Sequence, residues 1–121
     1  MLDNGLNILI VDDELNAREF LQKLIVRHFI NRCGNIDTAH DVQSAKDCLL
    51  DKRYDIVFLD IQLGKENGFD LLKQFATRDF EVVFTTAHKE FALNAIKESA
   101  FDYILKPINY VDILSVFKKI E

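Results

Sequence analysis

The sequence has few residues that interrupt regular structure, and it has no long apolar stretch. Pro107 is the only proline, four glycines are spread over 121 residues, and no linker, repeat or low-complexity segment divides the chain. No apolar run approaches the roughly 20 residues that span a bilayer. The first residues, Met1 to Gly5, lack the basic region and apolar stretch of a secretory signal. These absences predict one cytoplasmic domain that does not associate with a membrane.

The small number of cysteines and the negative net charge argue against a disulfide, a cysteine metal site and direct nucleic-acid binding. Cys33 and Cys48 form no CxxC pair, so we expect reduced, partly buried thiols rather than a disulfide or a metal site. The net charge of −5 argues against nucleic-acid binding by this chain itself, because contacts to a phosphate backbone need clustered Lys and Arg. The remaining composition, 49% hydrophobic and 29% charged, is that of a globular domain with a sizeable core.

Short apolar runs alternate with segments of helical periodicity along the whole chain. The runs are rich in Ile, Leu, Val and Phe, which predicts strands buried on both faces of a parallel sheet. Asp41 and Asn109 precede two helical segments as N-caps. The predicted strands are residues 6–11, 36–39, 55–59, 81–85 and 101–105, and the predicted helices cover about 14–29, the residues after Asp41, the residues after a loop at 64–68, then 90–98 and the residues after Asn109.

This alternation implies an α/β fold, in which a doubly wound parallel sheet is covered by helices on both faces. Periodicity alone does not give the strand order. In the helix predicted over 90–98, Ala92, Ala95 and Ile96 are spaced to face inward. In open sheets of this kind, ligands bind beyond the carboxyl ends of the strands, so a functional site is expected there.

Polar side chains follow four of the predicted strands, and in a parallel sheet they meet at one edge. Neighbouring carboxylates are costly to bury unless cations compensate them, and oxygen ligands suit Mg²⁺. No Ser–His, Cys–His or HExxH arrangement accompanies them, whereas Asp is a competent phosphoryl acceptor that Lys, Thr and a metal can assist. Each residue alone could be a cap or a solvated side chain. The residues are Asp12 and Asp13 after the first strand, Asp60 after the third, Thr85 or Thr86 at the fourth, and Lys106 with Pro107 after the fifth.

The segments around these residues resemble the landmarks of receiver domains of two-component response regulators. The resemblance covers about residues 7–117 and implies a flavodoxin-like (CheY-like) five-stranded sheet of order 2-1-3-4-5 with five helices, in one receiver domain over residues 1–121. The matching segments are Ile-Leu-Ile-Val-Asp12-Asp13-Glu, Ile-Val-Phe-Leu-Asp60-Ile, Val-Val-Phe-Thr-Thr86-Ala87 and Tyr103-Ile-Leu-Lys106-Pro107.

The resemblance implies a role for each site residue. One aspartate would accept a phosphoryl group, two further carboxylates and a backbone carbonyl would help to bind Mg²⁺, and a threonine and a lysine would bind the phosphoryl oxygens. The chain would catalyse only its own phosphorylation and dephosphorylation, so it would not be a conventional enzyme. The implied acceptor is Asp60, the implied metal ligands are Asp12, Asp13, Asp60 and the carbonyl of Gln62, and the implied phosphoryl-binding residues are Thr86 and Lys106.

The resemblance further implies a conformational switch. Tyr103 would move inward as the Thr86 hydroxyl is drawn to the phosphoryl group, which changes the surface of the fourth helix, fifth strand and fifth helix. That surface is the expected output face and a candidate homodimer interface. Gln62 and His88 occupy positions that tune phosphoryl lifetime in the family. Gly64 replaces a Pro that many members carry after the acceptor, which predicts a more mobile loop.

A narrower resemblance points to LytTR-type (LytR/AlgR) transcription regulators. It lies in Phe-Thr-Thr-Ala-His-Lys-Glu-Phe-Ala-Leu-Asn-Ala-Ile and in Ala-Phe-Asp-Tyr-Ile-Leu-Lys-Pro-Ile. Receivers of that type precede a DNA-binding domain, so we expect the N-terminal part of a longer regulator. A sensor histidine kinase would phosphorylate it, and it would contact DNA only through the absent output domain.

Two other functions are compatible with parts of the pattern. A pseudo-receiver would keep the fold and act by binding alone, but the complete set of acidic, threonine and lysine landmarks argues against it. A haloacid-dehalogenase-type phosphatase would carry DxD after the first strand, whereas Asp60 follows the third and has Gln62 two residues later. Absence of Mg²⁺ binding would favour the pseudo-receiver, and multiple turnover on a phosphate ester would favour the phosphatase.

Overall fold

A computed structural model describes residues 5–120 of the chain. Five strands form one parallel sheet of order β2-β1-β3-β4-β5, which confirms the predicted doubly wound α/β fold. The predicted absence of a secretory signal concerns Met1 to Gly5, of which Met1–Asn4 lie outside the described range. The strands are β1 (Leu6–Val11), β2 (Cys33–Ala39), β3 (Ile56–Asp60), β4 (Glu81–Thr86) and β5 (Asp102–Leu105), and the helices are α1 (Leu15–Phe29), α2 (Val42–Asp51), α3 (Gly68–Lys73), α4 (Ala92–Lys97) and α5 (Tyr110–Lys119).

Alternating strand residues divide the core into two layers, one on each face of the sheet. Ile8 and Ile10 of β1 pack with α1 and α5, whereas Leu9 and Val11 pack with α2, α3 and α4. Every residue of β3 is buried, as expected for a central strand covered on both faces. The two layers fix the positions of the central strands, so the residues that follow these strands lie close together at the carboxyl edge of the sheet.

The predicted N-caps are present at both helices. The Asp41 carboxylate accepts a hydrogen bond from the Ser44 amide (2.7 Å), and the Ser44 hydroxyl accepts one from the Asp41 amide (3.1 Å), which is a reciprocal capping box. Asn109 and Asp112 form the same arrangement at α5. In the described part of the chain, both cysteines are free thiols, and no helix is long and apolar enough to cross a membrane.

Predictions for two segments, the loop at 64–68 and the helix at 90–98, differ from the structure. The segment predicted as a loop contains a small antiparallel hairpin, in which Gln62–Leu63 pairs with Glu66–Asn67, and Gly68 already begins α3. The inward position of Ile96 is wrong, because its side chain is 71% exposed. A 3₁₀ turn (Lys89–Phe91) replaces the start of the predicted fourth helix. The remaining six-residue α4 buries only Ala95.

Candidate functional site

An acidic cluster lies at the carboxyl end of the sheet, as predicted. Because β1 and β3 are neighbours, the residues at their ends lie side by side. Carboxylate oxygens of Asp12, Asp13 and Asp60 all lie within 4.8 Å of one another. Asp12 and Asp60 are buried, at 5% and 6% exposure, respectively, while Asp13 is exposed. Two of the three acidic groups thus depend on protein partners instead of water for their stabilisation.

Lys106 is the cationic partner of the buried carboxylates. Its Nζ lies 2.7 Å from Asp12 Oδ2 and 3.0 Å from Asp60 Oδ2, and it reaches them from the residue after β5, where the Lys106–Pro107 peptide bond is cis. Burial by itself would lower the pKa of Lys106, but the hydrogen bonds and charges of Asp12 and Asp60 raise it above the ordinary value. The ammonium therefore stays charged between the two carboxylates.

Burial has the opposite effect on the acidic partner. It raises the pKa of Asp60 above the ordinary value, although the hydrogen bond and charge of Lys106 oppose the shift, and the Asp12 charge adds to it. The second Asp60 oxygen, Oδ1, accepts a hydrogen bond from the Gln62 amide at 3.0 Å. Both oxygens of this carboxylate are thus oriented by the protein.

Asp12 is held at its backbone as well as at its side chain. Its Oδ1 accepts a hydrogen bond from the Glu14 amide at 3.0 Å, and its backbone carbonyl accepts one from the Arg18 guanidinium at 2.8 Å. The Asp12 amide donates to the Ala39 carbonyl at 3.1 Å. Arg18 was not predicted as a site residue, because it carries no motif signal beyond its position in the first turns of α1.

The donor set of this cluster fits a hard divalent cation. Three carboxylates face one lysine ammonium, which leaves negative charge that the protein does not neutralise at this point. All the ligand atoms are oxygen, the type that Mg²⁺ prefers. An open cavity of about 410 Å³ lies against Asp13, Asp60, Lys106 and Gln62. The cluster therefore has charge, ligand type and access suited to such an ion.

Strand alternation distinguishes the two threonines at the end of β4. Thr85 follows Val83 on the face covered by α1 and α5, and Thr86 follows Phe84 on the opposite face. Tyr103, which is paired with Phe84 in the sheet, packs against that same opposite layer. Thr86 and Tyr103 therefore share a face, whereas Thr85 lies on the other one.

The backbone of one residue, His88, connects the two predicted switch residues. The His88 amide donates to Thr86 Oγ1 at 3.1 Å, and the His88 carbonyl accepts from the Tyr103 hydroxyl at 2.8 Å. His88 was predicted only as a residue that affects phosphoryl lifetime. That role stays a prediction, and in addition its backbone forms the contact between Thr86, Tyr103 and the segment that leads into α4.

Gly68 is a further site residue that the sequence analysis did not single out. A Cβ atom at this position would lie 2.5 Å from the backbone oxygen of Asp60 and 3.1 Å from Leu59 Cγ. The Gly68 amide donates to the Ile61 carbonyl at 2.7 Å. Asn67 caps α3 by accepting from the Phe69 amide at 2.7 Å, and this Asn-Gly pair was the available signal. The close approach of α3 thus fixes the backbone around Asp60.

Clustered aspartates and a lysine lie at the carboxyl end of this parallel sheet of order 2-1-3-4-5. This arrangement is typical of signalling domains that are switched by phosphorylation. The family model described as "Response regulator receiver domain" matches residues 8–118. The chain belongs to that family. It is a receiver domain of a two-component response regulator, and this confirms the predicted class over the pseudo-receiver alternative.

Relatives with the names LytT and LytR confirm the narrower resemblance to LytTR-type regulators. The sensory transduction protein LytR of Streptococcus mutans is 44% identical over 105 residues, which cover 84% of this chain and 43% of that protein. LytT of Bacillus subtilis is 39% identical over 116 residues, which cover 94% of this chain and 47% of that protein. The chain therefore spans about half the length of these relatives.

Solved structures of receivers have the same architecture. The response regulator TrrA of Thermotoga maritima, in complex with Mg²⁺–BeF, is 26% identical with a TM-score of 0.81, and the match covers 96% of this chain and 99% of that one. The response regulatory domain of mrkE from Klebsiella pneumoniae is 30% identical with a TM-score of 0.79, covering 94% and 93%, respectively.

Proposed function

We propose that this receiver accepts a phosphoryl group on Asp60 from a sensor histidine kinase. The observation that carries the proposal is the position of the Lys106 ammonium, which lies within 3.0 Å of both the Asp12 and Asp60 carboxylates. An acceptor carboxylate with an adjacent fixed cation provides both the nucleophile and the positive charge that phosphoryl transfer requires. The domain thus undergoes one phosphorylation per cycle and is not a conventional enzyme.

The transfer step is proposed to use Asp60 as the nucleophile. A carboxylate oxygen of Asp60 forms a bond to phosphorus while the phosphorus–nitrogen bond of the kinase phosphohistidine breaks, and the electron pair of that bond stays on the imidazole. As negative charge moves from the carboxylate to the phosphoryl oxygens, the Lys106 ammonium stabilises it there. The Thr86 hydroxyl is proposed to bind another phosphoryl oxygen.

The proposed metal ligands are Asp12, Asp13, Asp60 and the carbonyl of Gln62. These residues would hold Mg²⁺ next to the acceptor, where the ion would supply positive charge for phosphoryl transfer. The support comes from the clustered carboxylate oxygens and from the Mg²⁺–BeF complex of the related TrrA. The Gln62 carbonyl as a ligand rests on the family resemblance.

The proposed switch runs from Thr86 to the surface of α4 and β5. When the Thr86 hydroxyl turns to the phosphoryl group, its hydrogen bond from the His88 amide is disturbed and the His88 backbone must adjust, and Tyr103 is hydrogen-bonded to the carbonyl of that same residue. This biases the segment that leads into α4 between two arrangements. Leu93, Ile96 and Leu105 on this surface are 71%, 71% and 44% exposed, so we propose that it contacts the output domain or a second copy.

The proposed kinase contact lies beside the acceptor. An apolar groove of about 540 Å³ lies between α1, which contributes Ala17 and Phe20, and the segment after β5, which contributes Pro107 and Ile108, and Lys106 also lines it. Phe20 is 54% exposed, so the groove presents apolar surface to solvent. A kinase helix in this groove would bring its phosphohistidine next to Asp60.

We further propose that the receiver acts in the cytoplasm as the N-terminal domain of a regulator that binds DNA through its other half. LytT and LytR are about twice as long as the matched region, which supports this arrangement. The net charge of −5 is consistent with contact to DNA through another domain only.

Mass spectrometry tests the phosphoacceptor function directly. The protein is incubated with acetyl phosphate, with and without Mg²⁺, beside an Asp60→Asn variant as control. We expect a gain of one phosphoryl group that requires Mg²⁺ and is absent in the variant. A folded protein that gains no phosphoryl group under either condition would contradict the proposal.

A further inference from the structure

The hairpin after β3 contacts the metal ligand set through a backbone amide. The Gly64 N–H donates a hydrogen bond to Asp13 Oδ2 at 3.1 Å. Gly64 has a φ of +63°, and a Cβ atom built on it would meet no atom within 4 Å. The paired strands Gln62–Leu63 and Glu66–Asn67 hold this turn in place. The contact therefore depends on backbone conformation and on the N–H itself, not on space around the residue.

Asp13 differs from the other two carboxylates of the cluster in how it is held. Asp12 and Asp60 are buried and each is paired with Lys106. The Asp13 side chain is exposed, and within residues 5–120 its one hydrogen bond is the bond from Gly64. This bond occupies Oδ2 and leaves Oδ1 available. Without it, an exposed carboxylate would rotate among several conformations.

A proline at position 64 could not make this contact. Proline has no backbone N–H, and its ring fixes φ near −65°, whereas this turn requires a φ in the left-handed region. The glycine that was predicted only to loosen the loop is therefore the residue type that permits both the turn and the hydrogen bond.

We propose that the Gly64 N–H is a positioning group of the metal site, which orients the Asp13 carboxylate so that its free oxygen faces the cation. The inference rests on the proposed function, because it presupposes Mg²⁺ at the Asp12–Asp13–Asp60 cluster. Hydrogen-bond partners of metal ligands typically change metal affinity by about 10- to 100-fold when removed. Because Asp13 is exposed, we expect the lower end, about a tenfold weaker Mg²⁺ affinity without this bond.

The test compares two substitutions at the same position. Mg²⁺ is titrated into ¹⁵N-labelled protein without phosphodonor, and amide chemical shifts give the dissociation constant. Gly64→Pro removes the N–H and the required φ, so the dissociation constant should rise about tenfold. Gly64→Asn keeps the N–H, and Asn tolerates a positive φ, so affinity should return to within about twofold of that of the unsubstituted protein.

The outcomes separate this inference from the proposed function. Mg²⁺ binding by the unsubstituted protein with an equal or smaller dissociation constant for Gly64→Pro would overturn the positioning role alone. No Mg²⁺ response in the unsubstituted protein would overturn both. If Gly64→Pro does not fold, amide exchange decides: the Gly64 amide of the metal-free protein should exchange slowly, and faster in Asp13→Ala. Equal exchange in the two proteins would overturn the inference.

Discussion

The close approach of α3 to the acceptor strand predicts a large effect for the smallest possible substitution, Gly68→Ala. The added Cβ would lie 2.5 Å from the Asp60 carbonyl oxygen, 3.1 Å from Leu59 Cγ and 3.3 Å from Ile61 Cα. The nearest of these atoms belongs to the backbone of a fully buried strand, which cannot rotate away as a flexible side chain could. The start of α3 must therefore move outward by about 0.5 Å or more to restore an ordinary contact.

Two opposing terms set the magnitude of this effect. Replacing glycine by alanine restricts the unfolded chain and favours the folded state by about 0.4–1 kcal/mol where the backbone fits. Overpacking against a rigid neighbour costs about 1–3 kcal/mol, and it also strains the 2.7 Å hydrogen bond from the Gly68 amide to the Ile61 carbonyl. The clash outweighs the gain, so we expect a net loss of about 1–2 kcal/mol, or a fall in Tm of about 3–10 °C for a domain of this size.

Thermal unfolding followed by circular dichroism measures the loss, and phosphorylation by acetyl phosphate measures its effect on the site. Lys73→Ala is a matched control in the same helix, because the Lys73 side chain is 71% exposed and its removal should change stability by less than about 0.5 kcal/mol. Gly68→Ala should also slow phosphorylation, since the start of α3 moves outward and no longer fixes the backbone around Asp60. A Tm equal to or above that of the unsubstituted protein would refute the packing argument.

Three further substitutions test other parts of the account. Tyr54→Phe removes a 2.7 Å hydrogen bond to Asp37 and should lower the free energy of unfolding in urea at pH 7 by about 1–2 kcal/mol. Because burial raises the pKa of Tyr54, the stability that the phenolic proton contributes is complete below about pH 10 and is lost above it. A variant that loses as much stability above about pH 10 as the unsubstituted protein would contradict this assignment. Thr86→Ala should still be phosphorylated but show smaller amide shifts in α4 and β5, and shifts of normal size would refute its switch role. Asp41→Ala removes the α2 cap and should cost about 0.5–2 kcal/mol, measured by the same urea method; an unchanged midpoint would contradict the capping role.

The sequence predicted features that depend on local pattern. Apolar runs gave the strands, because a residue buried on both faces of a sheet must be apolar wherever it lies. Asp41 and Asn109 marked helix starts, because capping acts over three residues. The position of Asp12, Asp13 and Asp60 at one edge followed from the parallel sheet, while the strand order came from family resemblance and not from periodicity.

The missed features depend on contacts that the fold creates and that no local sequence pattern specifies. The Asn67-Gly68 pair indicates a turn but not that Gly68 lies against the Asp60 backbone. Nothing in the local sequence indicates that Arg18 binds the Asp12 carbonyl, or that Gly64 donates to Asp13. These contacts join residues that are 8, 6 and 51 positions apart, respectively. The exposure of Ile96 was missed for a related reason, since helical spacing alone does not reveal that α4 is short and preceded by a 3₁₀ turn.

The most direct test of the central claim is to locate the phosphoryl group chemically. The protein is phosphorylated with acetyl phosphate and Mg²⁺, then treated with borohydride, which reduces an aspartyl phosphate to homoserine, and its peptides are analysed by mass spectrometry. We expect homoserine at position 60 alone, and none when Mg²⁺ is omitted. Homoserine at Asp12, at Asp13 or elsewhere, with Asp60 unmodified, would contradict the assignment of Asp60 as the acceptor.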